Sequence, residues 1–180
     1  MELEGTVNRE GWTDQQATDA AVKVMIDYAK KDVGGVTPLV RSFTDDLHDN
    51  KSKMLAIRNW VLQNLKYVKD EVEAKRLYGV EHPEGVELVK SPLAVLESGI
   101  YDCDCGATLI ASMLLAIDIN ARFIVIGFYD EQFAGSGAFE HVLAQGLLDS
   151  GEWFTIDPVS YPDERRMLED TRQYKVYEIS

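Results

Sequence analysis

A polar run, Asp102-Cys103-Asp104-Cys105-Gly106, passes without a break into an apolar segment at residues 107–117. Leu109, Ile110, Met113, Leu114 and Ile117 recur at helical spacing with little polar surface between them, so the segment predicts a helix that is largely buried. A chain that contains such a helix has to cover it with other elements, and the helix begins on a thiol. Further along, His141 stands in Phe139-Glu140-His141-Val142 and Asp157 in Trp153-Phe154-Thr155-Ile156-Asp157-Pro158. In chain order these are a thiol at a helix start, an imidazole on a strand and a carboxylate on the next strand. They are the parts of a Cys-His-Asp nucleophilic site, in which the base turns the thiol into a thiolate and the acid fixes the base's tautomer. With two cysteines and three histidines in the chain, few other assignments compete.

The elements expected around that helix form two groups. Residues 1–12 are polar and aperiodic and read as a loop or tail, with residues 13–180 as a single domain. Thr13-Asp14-Gln15-Gln16 is a capping box that opens a helix with Ala17, Ala20, Ala21, Val24, Met25 and Tyr28 on one face, and Gly34-Gly35 is expected to stop it. Thr37-Pro38 then opens a second helix, and a third is expected over residues 51–67 with Leu55, Ile57, Trp60, Val61 and Leu65 as its stripe. Residues 68–90 read as a long connection of the kind that borders binding sites. Ser91-Pro92 caps a short helix that Gly99 ends. Strands are expected at 121–128, 141–148 and 152–157, the last two joined at the turn signal Asp149-Ser150-Gly151. Residues 163–174 suggest a weak helix and 175–179 an edge strand. Helices first and an antiparallel sheet after them define an α+β chain.

Composition narrows the function. A net charge of −13 leaves no basic patch to neutralise phosphates, so no nucleic-acid partner is expected. The longest apolar run falls well short of a membrane span, and from the polar first residues no secretion signal is expected. Two cysteines one residue apart make no disulfide framework, which points to a reducing, cytoplasmic setting. Cys-x-Cys with His141 is a poor zinc set, because structural zinc prefers Cys-x₂₋₄-Cys and a second pair. No metal or cofactor is expected, and nothing indicates the oligomeric state.

Each of the three residues also has a plainer reading. Cys103 fits a core thiol, although Asp102 and Asp104 do not belong in an apolar core. A helix amino terminus lowers a thiol pKa, and the two aspartates oppose that unless they are paired. His141 alone fits a structural strand histidine, and Asp157 a strand-ending Asp-Pro turn. Together they are more specific. They sit almost symmetrically about the Asp149–Gly151 turn, which predicts opposite or diagonal positions on paired strands, with β-carbons roughly 5–8 Å apart on one face.

The run Cys103-Asp104-x-x-Ala107-x-Leu109-x-Ala111-x-x-Leu114 through Ile119-Asn120-Ala121-Arg122-Phe123 resembles the cysteine motif of the transglutaminase-like superfamily, Gly-Asp-Cys-Asp-Asp, an apolar helix, then Gly-Ile-x-Ala-Arg. His141-Val142 resembles that family's histidine strand and Trp153-x-x-Ile156-Asp157-Pro158 its aspartate strand. Ile57-x-x-Trp60-Val61, Lys66-Tyr67-Val68-x-Asp70 and Ser91-Pro92 look like the helical half of the short bacterial and phage-borne members. The resemblance covers roughly residues 40–160. It implies a papain-like α+β fold with a helical amino-terminal half and the nucleophile at a helix start packed on a small antiparallel sheet. Cys103 would then be the nucleophile, His141 the base and Asp157 the orienting carboxylate, in thiol-dependent acyl transfer on amide bonds of a protein or peptide: hydrolysis, deamidation or crosslinking. The oxyanion donor would be the Cys103 N–H, with Tyr67 as a side-chain candidate. The chain departs from the pattern at Tyr101, where glycine is usual, at Cys105, where an acid is usual, and at Gly106, where histidine or lysine is frequent. Tyr101 is expected to add bulk beside the thiol, and with the long acidic connection it favours an alternative: a non-catalytic interaction or assembly protein, phage-borne and virion-associated in one version, that keeps the fold without the chemistry.

Overall fold

In a computed structural model of the protein, the described residues are 6–8, 14–69, 86–128, 141–159 and 171–179. Three helices come first: α1 (Asp14–Lys31), α2 (Val33–Thr44) and α3 (Asn50–Asn64). The break between α1 and α2 falls at Asp32 and not at Gly34-Gly35. Asp32 N donates to Tyr28 O at 3.1 Å while its own carbonyl accepts from Gly35 N and Val36 N at 3.0 and 3.1 Å, so one residue ends a helix and starts the next. Gly35 serves a contact instead: a Cβ there would lie 2.8 Å from Leu93 Cδ2. Thr37-Pro38 consequently lies inside α2, where the Thr37 hydroxyl bonds back to Val33 O at 2.6 Å. The third helix is capped by Asp49, whose Oδ1 accepts from Ser52 N at 2.8 Å.

That helix stops three residues short of the expected Tyr67. Leu65 turns extended, and β2 (Lys66–Tyr67) pairs in parallel with β4 (Ile100–Tyr101), through Lys66 N to Gly99 O at 2.9 Å and Val68 N to Tyr101 O at 2.8 Å. A partner more than thirty residues away decides this, which no local pattern contains. Another short pairing joins β1 (Thr6–Asn8) to β3 (Val86–Leu88), antiparallel. The reading of residues 1–12 as a tail and of 68–90 as a plain connection misses both strands. Helix α4 (Pro92–Ser98) follows the expected signals closely. Ser91 caps it with proline at N1, Gly99 ends it at φ 71°, and Asp32 adds an acceptor for Leu93 N at 3.1 Å.

Helix α5 (Cys103–Leu115) is the centre of the molecule, buried without interruption from Asp104 to Leu114. Helices α1 to α4 pack around it on one side, and β5 (Ala121–Phe128) and β6 (His141–Leu147) on the other. With β7 (Trp153–Ile156) and β8 (Thr171–Glu178) these form an antiparallel sheet in the order β7-β6-β5-β8. Phe123, Val125, Val142, Ala144 and Ile156 turn to the helical core. The Met54 side chain of α3 comes so close to β6 that a Cβ on Gly146 would meet its Cε at 2.5 Å. Leu143 and Ile126, on the alternate positions, form a separate cluster. The turn at Asp149-Ser150-Gly151 is closed by Leu148 N to Glu152 O at 2.8 Å, with Gly151 at φ 85°. The last strand is longer than expected: residues 171–174, assigned from sequence to a weak helix, belong to β8, while the rest of that segment and the glycine-rich stretch at 132–138 lie outside the described residues. The architecture is the α+β arrangement read from the sequence.

Candidate active site

Cys103 is the first residue of α5 and is half-buried. The residue before it, Asp102, is extended (φ −116°, ψ −164°) and caps the helix, its Oδ1 accepting from Cys105 N at 3.1 Å. Asp104 Oδ1 accepts from the same N–H at 2.7 Å. Both aspartates beside the thiol thus direct lone pairs into the first turn of the helix. Cys105 is fully buried, and its Sγ accepts from Lys90 N at 3.2 Å. Burial, and then the charges of Asp104 and Asp102, push this thiol well above the ordinary range, so it stays protonated. The donor atoms of Asp102, Asp104 and Cys105 lie within 4.8 Å of one another. A protonated thiol beside two carboxylates turned to a backbone N–H is nevertheless a poor cation site, since metals bind the thiolate.

The carboxylate arm is set by strand register. Ala144 pairs with Ile156, which brings Asp157 opposite Leu143 and diagonal to His141 on the same face. His141 Nε2 lies 3.1 Å from Asp157 Oδ2, with the two residues 9% and 1% exposed. A carboxylate acceptor at Nε2 puts the ring proton there and leaves Nδ1 as the basic nitrogen. The other carboxylate oxygen, Oδ1, accepts from Val159 N at 2.8 Å.

Two residues that sequence reasoning did not place in the site support this arm. Arg58, on α3, donates from Nε to Asp157 O at 2.9 Å. Tyr101 is only 2% exposed, and its hydroxyl donates to Pro158 O at 2.9 Å. Its ring occupies space that Gly106 leaves open, since a Cβ on Gly106 would meet Tyr101 Cδ2 at 2.7 Å and Pro158 Cγ at 3.2 Å. Two departures from the family pattern, a tyrosine for glycine and a glycine for a long side chain, are therefore one packing solution. Arg58 carried no sequence signal, because a polar residue on a helix face is ordinary. The Tyr101–Gly106 spacing was visible, but its meaning required Pro158 in three dimensions.

Tyr67 stands against Tyr101 edge-to-face, with ring centroids 5.6 Å apart and planes at 77°. Its phenol is pushed far up, first by burial, then by the charges of Cys103, Asp102, Asp104 and Asp157. The charges of the helix start and of Asp157 thus act on one phenol, which stays protonated and is able to donate.

Residues 37–158, well over half of the chain, match the sequence profile of the transglutaminase-like superfamily. The chain belongs to this superfamily. The profile of the transglutaminase-like superfamily begins within α2 and runs to Pro158, and so takes in both arms described above. No curated protein sequence matches the chain. Among solved structures, a candidate cysteine protease from Cytophaga hutchinsonii superposes with a TM-score of 0.54 at 16% identity, over 81% of this chain and 47% of that one. A candidate protease from Parabacteroides distasonis (TM-score 0.49, 18% identity, 88% of this chain and 29% of that one) is similar at a lower level. So is a structure described as a TGase, with a TM-score of 0.46 and 18% identity over 80% and 34% of the two chains. The protein spans about half, or less, of the length of these chains. At such identity the first of them speaks to a shared fold. Among the described residues, no helix is long and apolar enough to cross a membrane.

Proposed function

We propose that this transglutaminase-like chain is a thiol-dependent acyl-transfer enzyme acting on amide bonds of a protein or peptide, with residues 13–180 as one catalytic domain. Cys103 Sγ attacks the amide carbonyl carbon while its proton passes to His141 Nδ1. The oxyanion accepts from the Cys103 N–H and from Tyr67. Collapse breaks the C–N bond, the imidazolium returns its proton to the leaving amine, and a thioester remains. Water or a second amine then attacks the thioester, giving its proton to His141, and the thiolate leaves and is reprotonated. Asp157 holds Nε2–H throughout. The observation that carries this reading is the buried 3.1 Å contact between His141 Nε2 and Asp157 Oδ2, which presents Nδ1 as the base. A free thiol nucleophile suits a reducing compartment such as the cytoplasm.

The test incubates the protein with a pool of glutamine-containing peptides and a fluorescent primary amine. Ammonia release, amine incorporation and peptide cleavage are followed separately. We expect at least one product, absent with Cys103→Ala, together with alkylation of Cys103 that persists well below the free-thiol pKa of about 8.5. No product of any of the three kinds, with Cys103 no more reactive than an ordinary thiol, leaves the interaction-protein reading in its place.

A further inference from the structure

The ladder between β6 and β7 ends at the Ala144–Ile156 pair, one residue before Asp157. Sheet hydrogen bonding therefore does not itself hold the carboxylate, and the next residue, Pro158, has no N–H with which to extend the ladder. Val159 N to Asp157 Oδ1, at 2.8 Å, ties the side chain to its own segment and leaves the segment to be held by something else. Among the described residues, two side chains reach it from elsewhere. Arg58 Nε takes the Asp157 carbonyl at 2.9 Å and the Tyr101 hydroxyl takes the Pro158 carbonyl at 2.9 Å. Of the two, Tyr101 is the buried one, and it stands two residues before Cys103, on the strand that leads into α5.

We propose that Tyr101 is a positioning residue of the acyl-transfer site: its hydroxyl fixes the Asp157–Pro158 segment relative to the start of the nucleophile helix, and so keeps the carboxylate on His141 Nε2. This rests on the function proposed above. A phenylalanine would fill the same volume against Gly106, so packing alone asks for a ring and not for a hydroxyl. The hydroxyl belongs to a residue only 2% exposed, and among the described residues its acceptor is the carbonyl next to the carboxylate residue. Without it the backbone of the segment keeps, among the described side chains, the Arg58 bond, and gains freedom to pivot about it. A carboxylate that swings from Nε2 stabilises the imidazolium less, the imidazolium stabilises the thiolate less, and the apparent pKa of Cys103 rises. The chemical step slows while groups that bind substrate are untouched.

The experiment measures the rate of Cys103 alkylation by iodoacetamide across pH, which needs no known substrate, for the parent, Tyr101→Phe and Asp157→Asn. Asp157→Asn is expected to raise the apparent thiol pKa. Tyr101→Phe is expected to move it the same way and less far, with alkylation at about pH 6 slowed roughly three- to tenfold, which corresponds to half to one pH unit. A shift with Asp157→Asn and none with Tyr101→Phe overturns the inference and leaves the triad standing, as does a lowered Tm for Tyr101→Phe with an unmoved profile. No shift with either variant removes the triad reading itself. If Tyr101→Phe does not fold, a fluorinated tyrosine at position 101, a stronger donor in nearly the same volume, replaces it: a lowered apparent pKa supports the inference and an unmoved one overturns it.

Discussion

Asp157 is paired on both carboxylate oxygens and on its own carbonyl, and is 1% exposed. Its pairing with His141 was legible because an antiparallel hairpin converts equal distances from a turn into neighbours. Tyr101 was legible only as an anomaly. Read from the sequence as bulk beside the thiol, it proves to be buried against Gly106 and bonded to Pro158, and its burial has a measurable consequence. Burial, followed by the charge of Asp157, pushes its phenol up to about 12 from an ordinary value of 10. A group whose folded-state pKa is raised contributes stability that is whole below the unfolded value and lost as pH rises through the folded one. The parent should therefore lose stability between about pH 10 and pH 12, and Tyr101→Phe should lose less over that window, as read from urea midpoints. Tyr67 and Tyr177 are raised as well, so some alkaline loss remains in the variant. An identical alkaline slope in both proteins would place the Tyr101 hydroxyl in contact with water.

At the scale of elements, α5 was the most legible part of the fold and its contacts the least. Its start at Cys103 follows from the Asp102 cap, and its burial from a surface that is mostly apolar around the helix. What it packs against depends on atoms far away in sequence, and Gly106 shows how closely. Alanine is the better helix former by about 1 kcal/mol, so propensity predicts that Gly106→Ala stabilises. The structure predicts the reverse. A Cβ 2.7 Å from a buried Tyr101 ring and 3.2 Å from Pro158 forces the helix, the ring or the proline to move. Overpacking of this kind costs roughly 1–3 kcal/mol, enough to cancel or exceed the propensity gain. Chemical denaturation of Gly106→Ala should show a loss of stability, together with a raised apparent pKa for Cys103 alkylation, since the displaced ring carries the hydroxyl with it. A variant more stable than the parent would mean that the ring yields without strain.

For the whole molecule, the two cysteines separate surface from core. Cys103 is half-buried at the helix start, whereas Cys105, two residues on, is fully buried with its thiol raised by burial and by Asp104 and Asp102. Alkylation of Cys105 should thus report global opening: no labelling while the fold persists, then labelling whose denaturant dependence matches loss of the helical signal. Labelling of Cys105 at native rates comparable to Cys103 would mean that the centre of the fold opens locally. From the chain alone came the α+β class, the central helix with its thiol, the capped helix at Ser91-Pro92, the 121–128 strand and the His141–Asp157 hairpin. These depend on short-range rules: caps, periodicity and a turn that sets register. The tertiary structure alone decided that α1 yields to α2 at Asp32, that Lys66–Tyr67 leaves its helix to pair with Ile100–Tyr101, and that Thr6–Asn8 finds Val86–Leu88. It also brought Arg58 and Tyr101 to the segment that carries Asp157. Each of those outcomes joins residues more than thirty positions apart or trades a local preference for a distant partner, and no local pattern records the energy of a contact between segments that meet only on folding.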